Sequence, residues 1–300
     1  MEHVYTETLE TCPVCGGGAW QPFLSPKDHT LTQEVFHLTT CGSCGFCATN
    51  PRPDRAHIGR YYDSPEYISH SNSKAGLQDR LYQFIRRRAI RSKHKLIARY
   101  KTNGQVLDMG CGTGEFLGYL KSQGYLTVGV EPGASAREQA IANYSLEVLP
   151  TLEQVPAMEQ FKVITLWHVL EHVHDVRDTL KKLHARLSPK GLLVIAVPDR
   201  ESWDAEHYGA RWAAYDVPRH LSHFRRGDVH RLLTEHGFQT LATKPMWFDA
   251  PYVSMLSEKY TGAGAFGALV KGAVIGMASN AVAATTARPT SSSLYVAEKA

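Results

Sequence analysis

Between residues 104 and 300, short apolar runs alternate with stretches of helical period. Val106-Leu107, Leu126–Val130 (LTVGV), Phe161–Trp167 (FKVITLW) and Gly191–Val197 (GLLVIAV) are runs bounded by turn residues, as buried strands are. Ala134–Asn143 and Val176–Leu187 lie between them and read as helices. The second carries Leu180, Leu183 and Leu187 at helical spacing. Strands alternating with helices predict an α/β domain with a doubly wound, mostly parallel sheet. Ligands then sit at the carboxyl ends of its strands.

The first of those strands runs into Asp108-Met109-Gly110-Cys111-Gly112-Thr113-Gly114-Glu115. Glycines at alternate positions let the backbone turn tightly and lie against a ligand with no Cβ in the way. A dinucleotide fingerprint needs its third glycine at 115, where this chain has Glu115, a carboxylate that would repel a pyrophosphate. The next strand ends in Glu131, 23 residues after Asp108, placed to accept both hydroxyls of a ribose. The line resembles the first motif of class I S-adenosylmethionine (SAM) methyltransferases. That resemblance implies a seven-stranded Rossmann-like sheet, closed by a helix at Arg226–His236 and strands at Phe238–Lys244 and Ser293–Lys299. It also implies SAM as cofactor, held by Asp108, Gly110, Gly112, Gly114, Glu131, Trp167 and Tyr67.

A second signal stands near the N-terminus. Cys12-Pro13-Val14-Cys15 and Cys41-Gly42-Ser43-Cys44 are two C-x2-C knuckles, 25 residues apart and each followed by glycine. Four thiolates so spaced suit a closed, structural Zn²⁺ site at Cys12, Cys15, Cys41 and Cys44. The opening MEHVYTETLE has no apolar run of a signal peptide, which favours a cytoplasmic setting and zinc over disulfides. Cys47 and His37 are spare ligands, and Cys111 reads as a small packed residue. The expected division is a zinc ribbon at 1–50, a helical connecting region covering the active site at 51–103 and the SAM domain at 104–300. That domain carries insertions at 198–224 and 252–288. Ribbon, Asn50-Pro51-Arg52-Pro53 exit, Tyr61-Tyr62 pair and class I domain together resemble bacterial methyltransferases of sugar, surface-polysaccharide or secondary-metabolite biosynthesis. The resemblance implies that tyrosines of the connecting region reach over the cofactor and a small-molecule acceptor.

Composition narrows the partners only a little. A net charge of +4 favours no particular polyanion, and no DNA partner is expected. From Arg80 to Leu107 there are nine basic residues, among them Arg86 and Lys93, and no acidic one. This pattern reads first as the solvated face of a helix whose other side holds Leu81, Phe84, Ile85, Ile90, Leu96 and Ile97.

Chemistry is expected after the strand ending at Trp167. Methyl transfer to a hydroxyl or carbon acid needs a base, and histidine has an ordinary pKa near 6.5. His168, Glu171 and His172 follow at once, and His220 and His223 lie in the aromatic-rich insertion beside Tyr215 and Arg219. One of His172, His220 or His223 is the expected base, with Arg219, Tyr215 and Glu171 on the acceptor. Leu170-Glu171-His172 resembles the Leu-Glu-His signature of small-molecule methyltransferases. In ubiquinone-biosynthesis O-methyltransferases this region binds a divalent ion through two glutamates and a histidine; His168 replaces the first glutamate here.

Residues 262–287 carry one charge, Lys271, with Gly264, Ala268, Gly272 and Gly276 on one helical stripe. That allows close approach to another helix, within the domain, in a homodimer or at a membrane surface. Two rival functions remain, an RNA-base methyltransferase and a non-enzymatic SAM-domain scaffold. The first lacks the Asn-Pro-Pro-Tyr type of motif after the fourth strand, and the intact glycine turn argues against the second.

Overall fold

The computed structural model describes residues 6–62 and 77–300, with side chains from residue 86 onward in the second stretch. Tyr67 lies outside the described residues. In chain order the N-terminal part holds β1 (Thr6–Glu7), β2 (Trp20–Leu24), β3 (Leu38–Cys41), β4 (Cys47–Thr49), β5 (Arg52–Pro53) and α1 (Leu77–Ala98). Then follow β6 (Gln105–Met109), α2 (Glu115–Ser122), β7 (Leu126–Val130), α3 (Ala134–Tyr144), β8 (Glu147–Leu149), β9 (Phe161–Trp167), α4 (Val176–Arg186) and β10 (Leu187–Pro198). The chain ends with α5 (Trp203–Tyr208), β11 (Ser222–His223), α6 (Arg226–Glu235), β12 (Phe238–Pro245), α7 (Asp249–Tyr260), α8 (Ala265–Thr285) and β13 (Ser292–Lys299).

The main sheet has seven strands in the order β12-β13-β10-β9-β6-β7-β8. Strands β10, β9, β6, β7 and β8 are mutually parallel, and β13 runs antiparallel between β10 and β12. Continuous apolar runs form the centre because helices cover both faces: Leu107, Ile164, Leu166 and Ile195 pack on one side, Val106, Val163 and Val194 on the other. The chain steps outward from β6 to β8 and then returns beside β6 as β9. The carboxyl ends of β6 and β9 therefore stand at the switch point where such sheets receive ligands.

The expected α/β fold is present, with β8 as a strand that three residues, Glu147–Leu149, had not announced. The small sheet near the N-terminus orders its strands β11-β4-β3-β2, so the ribbon borrows Ser222–His223 from the 198–224 insertion. The Gly/Ala-rich insertion forms an antiparallel helical hairpin, α7 and α8. A Cβ on Gly272 would lie 2.4 Å from Met255 Cα, and one on Gly276 would lie 2.4 Å from Pro251 Cα. Its small-residue stripe is thus used within the chain.

Candidate active site and cysteine cluster

The glycine turn has Gly110, Gly112 and Gly114 at φ of 72°, 55° and 79°, a left-handed region closed to most other residues. Their surroundings separate them. A Cβ on Gly110 would stand 2.4 Å from Val169 Cγ2, and one on Gly114 would stand 2.7 Å from Ala140 Cβ, so both glycines serve packing. At Gly112 nothing lies within 4 Å, and that side of the turn faces open space. The Gly112 N–H donates to Glu131 Oε2 at 2.9 Å, and Gly133 N–H donates to Oε1 at 2.8 Å, which fixes the carboxylate at the rim. Asp108 is buried beneath and accepts from the Thr165 hydroxyl; burial pushes its pKa up to about 7.

Trp167 closes the far side of this space. Its indole meets Phe116 edge-on at 5.7 Å, and its buried N–H has no hydrogen-bond partner. The Lys93 ammonium lies 4.2 Å from the Trp167 ring centroid and 5.6 Å from that of Phe116. Arg86 pairs with Glu115 at 2.6 Å. The solvated-face reading of α1 is corrected at these two positions, which turn onto α2 and the cofactor crevice. For Lys93 the signal was present in the sequence: it stands three residues after Ile90 and four before Ile97, on the apolar side.

Beyond β9 the backbone bends sharply at His168, a non-glycine residue at φ 57°. Its imidazole bridges Glu171 Oε1 at 3.4 Å and Asp249 Oδ2 at 3.2 Å. Burial alone would lower its pKa, but the two carboxylates outweigh that and push it up to about 10. The pairing favours the protonated form of His168, the opposite of what a general base needs. Glu171 is fully buried; desolvation raises its pKa, but His168 outweighs that and leaves it lowered.

His172 behaves in the opposite way. Its Nδ1 is 3.0 Å from the Arg219 carbonyl and 3.0 Å from the Tyr62 hydroxyl. A carbonyl only accepts, so Nδ1 carries the proton and Nε2 keeps its lone pair. Burial, then the neighbouring His220, pull its pKa down to about 4. The His220 ring meets it edge-on at 4.6 Å, with Nδ1 of His220 donating to the Ala214 carbonyl at 2.8 Å. One ligand atom each from Glu171, His172 and His220 falls within 4.8 Å of the others, but His168 already answers the Glu171 charge.

Other expected site residues are placed elsewhere. Arg219, expected on the acceptor, is 1% exposed. Its guanidinium donates to Asp216, to Asp28 and to the Tyr61 carbonyl, so it braces the insertion against the ribbon while its own carbonyl orients His172. His223, expected among the bases, lies in β11 at 4% exposure. The Thr49 hydroxyl donates to the His220 carbonyl and so receives the His223 Nε2 proton, which leaves His223 a seam residue. Tyr215 packs on Trp212 and His223 and lines a separate cleft of about 660 Å³ bordered by Phe23, Arg200 and Arg288. Of the tyrosine pair, Tyr62 reaches His172, whereas the Tyr61 hydroxyl donates to Glu34 at 2.9 Å.

The four knuckle cysteines converge. Cys12 Sγ lies 3.6 Å from Cys44 Sγ, and Cys15 Sγ lies 3.5 Å from Cys41 Sγ. Gly16 and Gly45, both at φ 76°, make the two turns that aim these sulfurs together. All four sulfurs fall within 4.8 Å of one another, the donor set of a tetrahedral thiolate site. Cys47 points away into the core, where burial pushes its thiol up to about 12, and His37 bonds Ser25.

Comparison with known proteins agrees with this geometry. Residues 81–243 match a methyltransferase domain family. A ubiquinone biosynthesis O-methyltransferase of Bradyrhizobium diazoefficiens is 32% identical over 123 residues, covering 38% of this chain and 49% of the relative. One from Rhodopseudomonas palustris is 27% identical over 150 residues, covering 47% and 59%. This chain thus matches about half the length of these curated relatives. Among solved structures, the magnesium protoporphyrin IX methyltransferase of Synechocystis with bound S-adenosylhomocysteine superposes with a TM-score of 0.55 at 12% identity, covering 82% of this chain and all of that one. The sheet order, the glycine turn and the matched domain, which spans more than half of the sequence, make this chain a member of the class I SAM-dependent methyltransferases.

Proposed function

We propose that this chain methylates a hydroxyl of a small-molecule acceptor, with neutral His172 as the general base. The observation that carries the reading is the His172 ring: Nδ1 is anchored on the Arg219 carbonyl, which leaves Nε2 to accept a proton, in the turn that follows β9. The O-methyltransferase names of the curated relatives support a hydroxyl over a carbon or amine acceptor. SAM, when bound, supplies an activated methyl group on a sulfonium. The crevice suits it: open space at Gly112, a carboxylate rim at Glu131 and an unpartnered indole N–H at Trp167. His172 Nε2 would take the proton of the acceptor hydroxyl during the methyl transfer that SAM supports. His220 and Tyr62 hold the ring in place, and the His168 imidazolium keeps Glu171 from drawing a second proton into the site.

Residues Cys12, Cys15, Cys41 and Cys44 would hold one structural Zn²⁺. Because β11 belongs to the ribbon sheet, that ion would set the position of the segment carrying Arg219 and His220. The discriminating experiment compares His172→Ala and His172→Gln for turnover and SAM affinity, with catechol-type and sugar hydroxyl acceptors. General-base loss predicts a fall of about 10²–10⁴-fold in turnover at unchanged SAM affinity. Near-normal turnover in both variants would overturn the assignment.

A further inference from the structure

The α7–α8 hairpin leaves one face without an explanation in the fold. Large side chains of α8, Phe266, Leu269, Val270, Val274 and Met277, are 46–79% exposed. They recur at helical spacing on the side turned away from α7, whereas Ala268, Gly272, Gly276 and Ser279 are buried. At the C-terminal half of α8, Asn280 donates to the Trp247 carbonyl at 2.8 Å, which brings in exposed Trp247 and Phe248. A contiguous apolar surface of this kind marks an interaction site.

Charge tells what covers it. The acids of the hairpin turn inward: Asp249 pairs with His168, and buried Glu258 accepts from the Tyr208 hydroxyl. Its lysines, Lys259 and Lys271, are exposed, and no acidic residue occurs from 259 to 297. Apolar residues of α8, the aromatic pair that precedes α7 and one outward lysine on each helix match the demands of an anionic lipid interface. A full crossing is opposed by the stripe of small residues, which is already packed on α7.

We propose that the outer face of the α7–α8 hairpin docks this enzyme on an anionic bilayer surface. The docked element and the candidate active site form one unit, because the first residue of α7, Asp249, is bonded to His168 at the end of β9.

The test uses the full chain and vesicles of phosphatidylcholine with or without phosphatidylglycerol, read by co-sedimentation. Binding should be about tenfold or more stronger with phosphatidylglycerol. The double variant Leu269→Glu/Val274→Glu should lose about tenfold or more, and Lys259→Gln/Lys271→Gln should lose most of the preference for anionic lipid. SAM affinity, measured by calorimetry, should be unchanged in both variants and reports that they fold. Failure of the unmodified chain to sediment with anionic vesicles would overturn the proposal. So would equal binding by the Leu269→Glu/Val274→Glu variant. A dimer that this variant abolishes, with no vesicle binding, would assign the face to a second copy of the chain instead.

Discussion

His168 Nε2 stands 3.2 Å from Asp249 Oδ2, so one ring joins the end of β9 to the start of α7. With Nδ1 on Glu171, the imidazole is clamped between two carboxylates in a left-handed backbone conformation. Such backbone persists only where its surroundings over-determine it, and here two charges do so. The clamp thus holds an imidazole whose pKa the two carboxylates raise.

That clamp has a pH signature. The pKa of His168 is raised above its ordinary value, so its contribution to stability is full below about pH 6.5 and is lost as pH rises through about 10. Thermal unfolding of the parent protein should weaken across that window. His168→Gln should start from a lower melting temperature and flatten the dependence. Asp249→Asn should act alike and also expose the α7–α8 hairpin to limited proteolysis. Parallel pH curves for parent and His168→Gln would refute the clamp.

The glycines of the cofactor turn should separate by experiment. Gly112→Val places a branched side chain in the open space beside the turn and should abolish SAM binding, and its left-handed φ of 55° also costs stability. Gly110→Ala meets Val169 and should lower the melting temperature before it affects affinity. Glu131→Ala removes a carboxylate that accepts two N–H groups and is placed for the ribose, at a cost of about 10- to 100-fold in SAM affinity. Calorimetric titration measures all three, and unchanged affinity in Gly112→Val and Glu131→Ala together would refute the placement of the cofactor.

Metal removal should reach further than the ribbon. Purified protein should hold one Zn²⁺ per chain, and Cys12→Ser or Cys44→Ser should release it. Because Ser222 pairs with Ala48 and His223 with Cys47, loosening the ribbon shifts the segment that carries Arg219 and His220. Turnover should fall while SAM affinity largely survives, since the glycine turn and Glu131 belong to the other sheet. Full turnover in the zinc-free protein would separate ribbon from active site.

What the sequence disclosed followed the range of each interaction. The glycine turn and the C-x2-C knuckles are local, their geometry is set by a few neighbouring residues, and both stand where expected. The pairing of Gly272 and Gly276 with a second helix was legible for the same reason, as spacing along one helix. Arg219 was not: its partner Asp28 lies 191 residues away, and a lone arginine in a loop looks the same whether it meets a ligand or a buried acid. His223 misled in the same manner, since only the sheet pairing shows that it belongs to the ribbon. Lys93 was legible from its spacing between Ile90 and Ile97, but eight other basic residues nearby drew the reading towards a solvated face.

The base assignment makes the sharpest demand on pH. A histidine at the ordinary value would give a rate rising through about pH 6.5, but burial and His220 hold His172 down to about 4. It is already neutral at pH 7, so turnover should be level from about pH 6 upward and fall only on the acid side. Stability should decline in the same acid range: with a folded pKa below the unfolded one, the unfolded chain binds more protons between about pH 6.5 and 4. His220→Ala removes the positive neighbour when protonated and part of the packing, and should move the acid limb of the profile towards higher pH. His223→Ala should cost stability, through the lost His223–Thr49 hydrogen bond and packing, more than it costs the chemical step. Stopped assays from about pH 3.5 to 9, with SAM saturating, decide the matter. An inflection near pH 6.5 that His172→Gln leaves in place would mean that another group takes the proton.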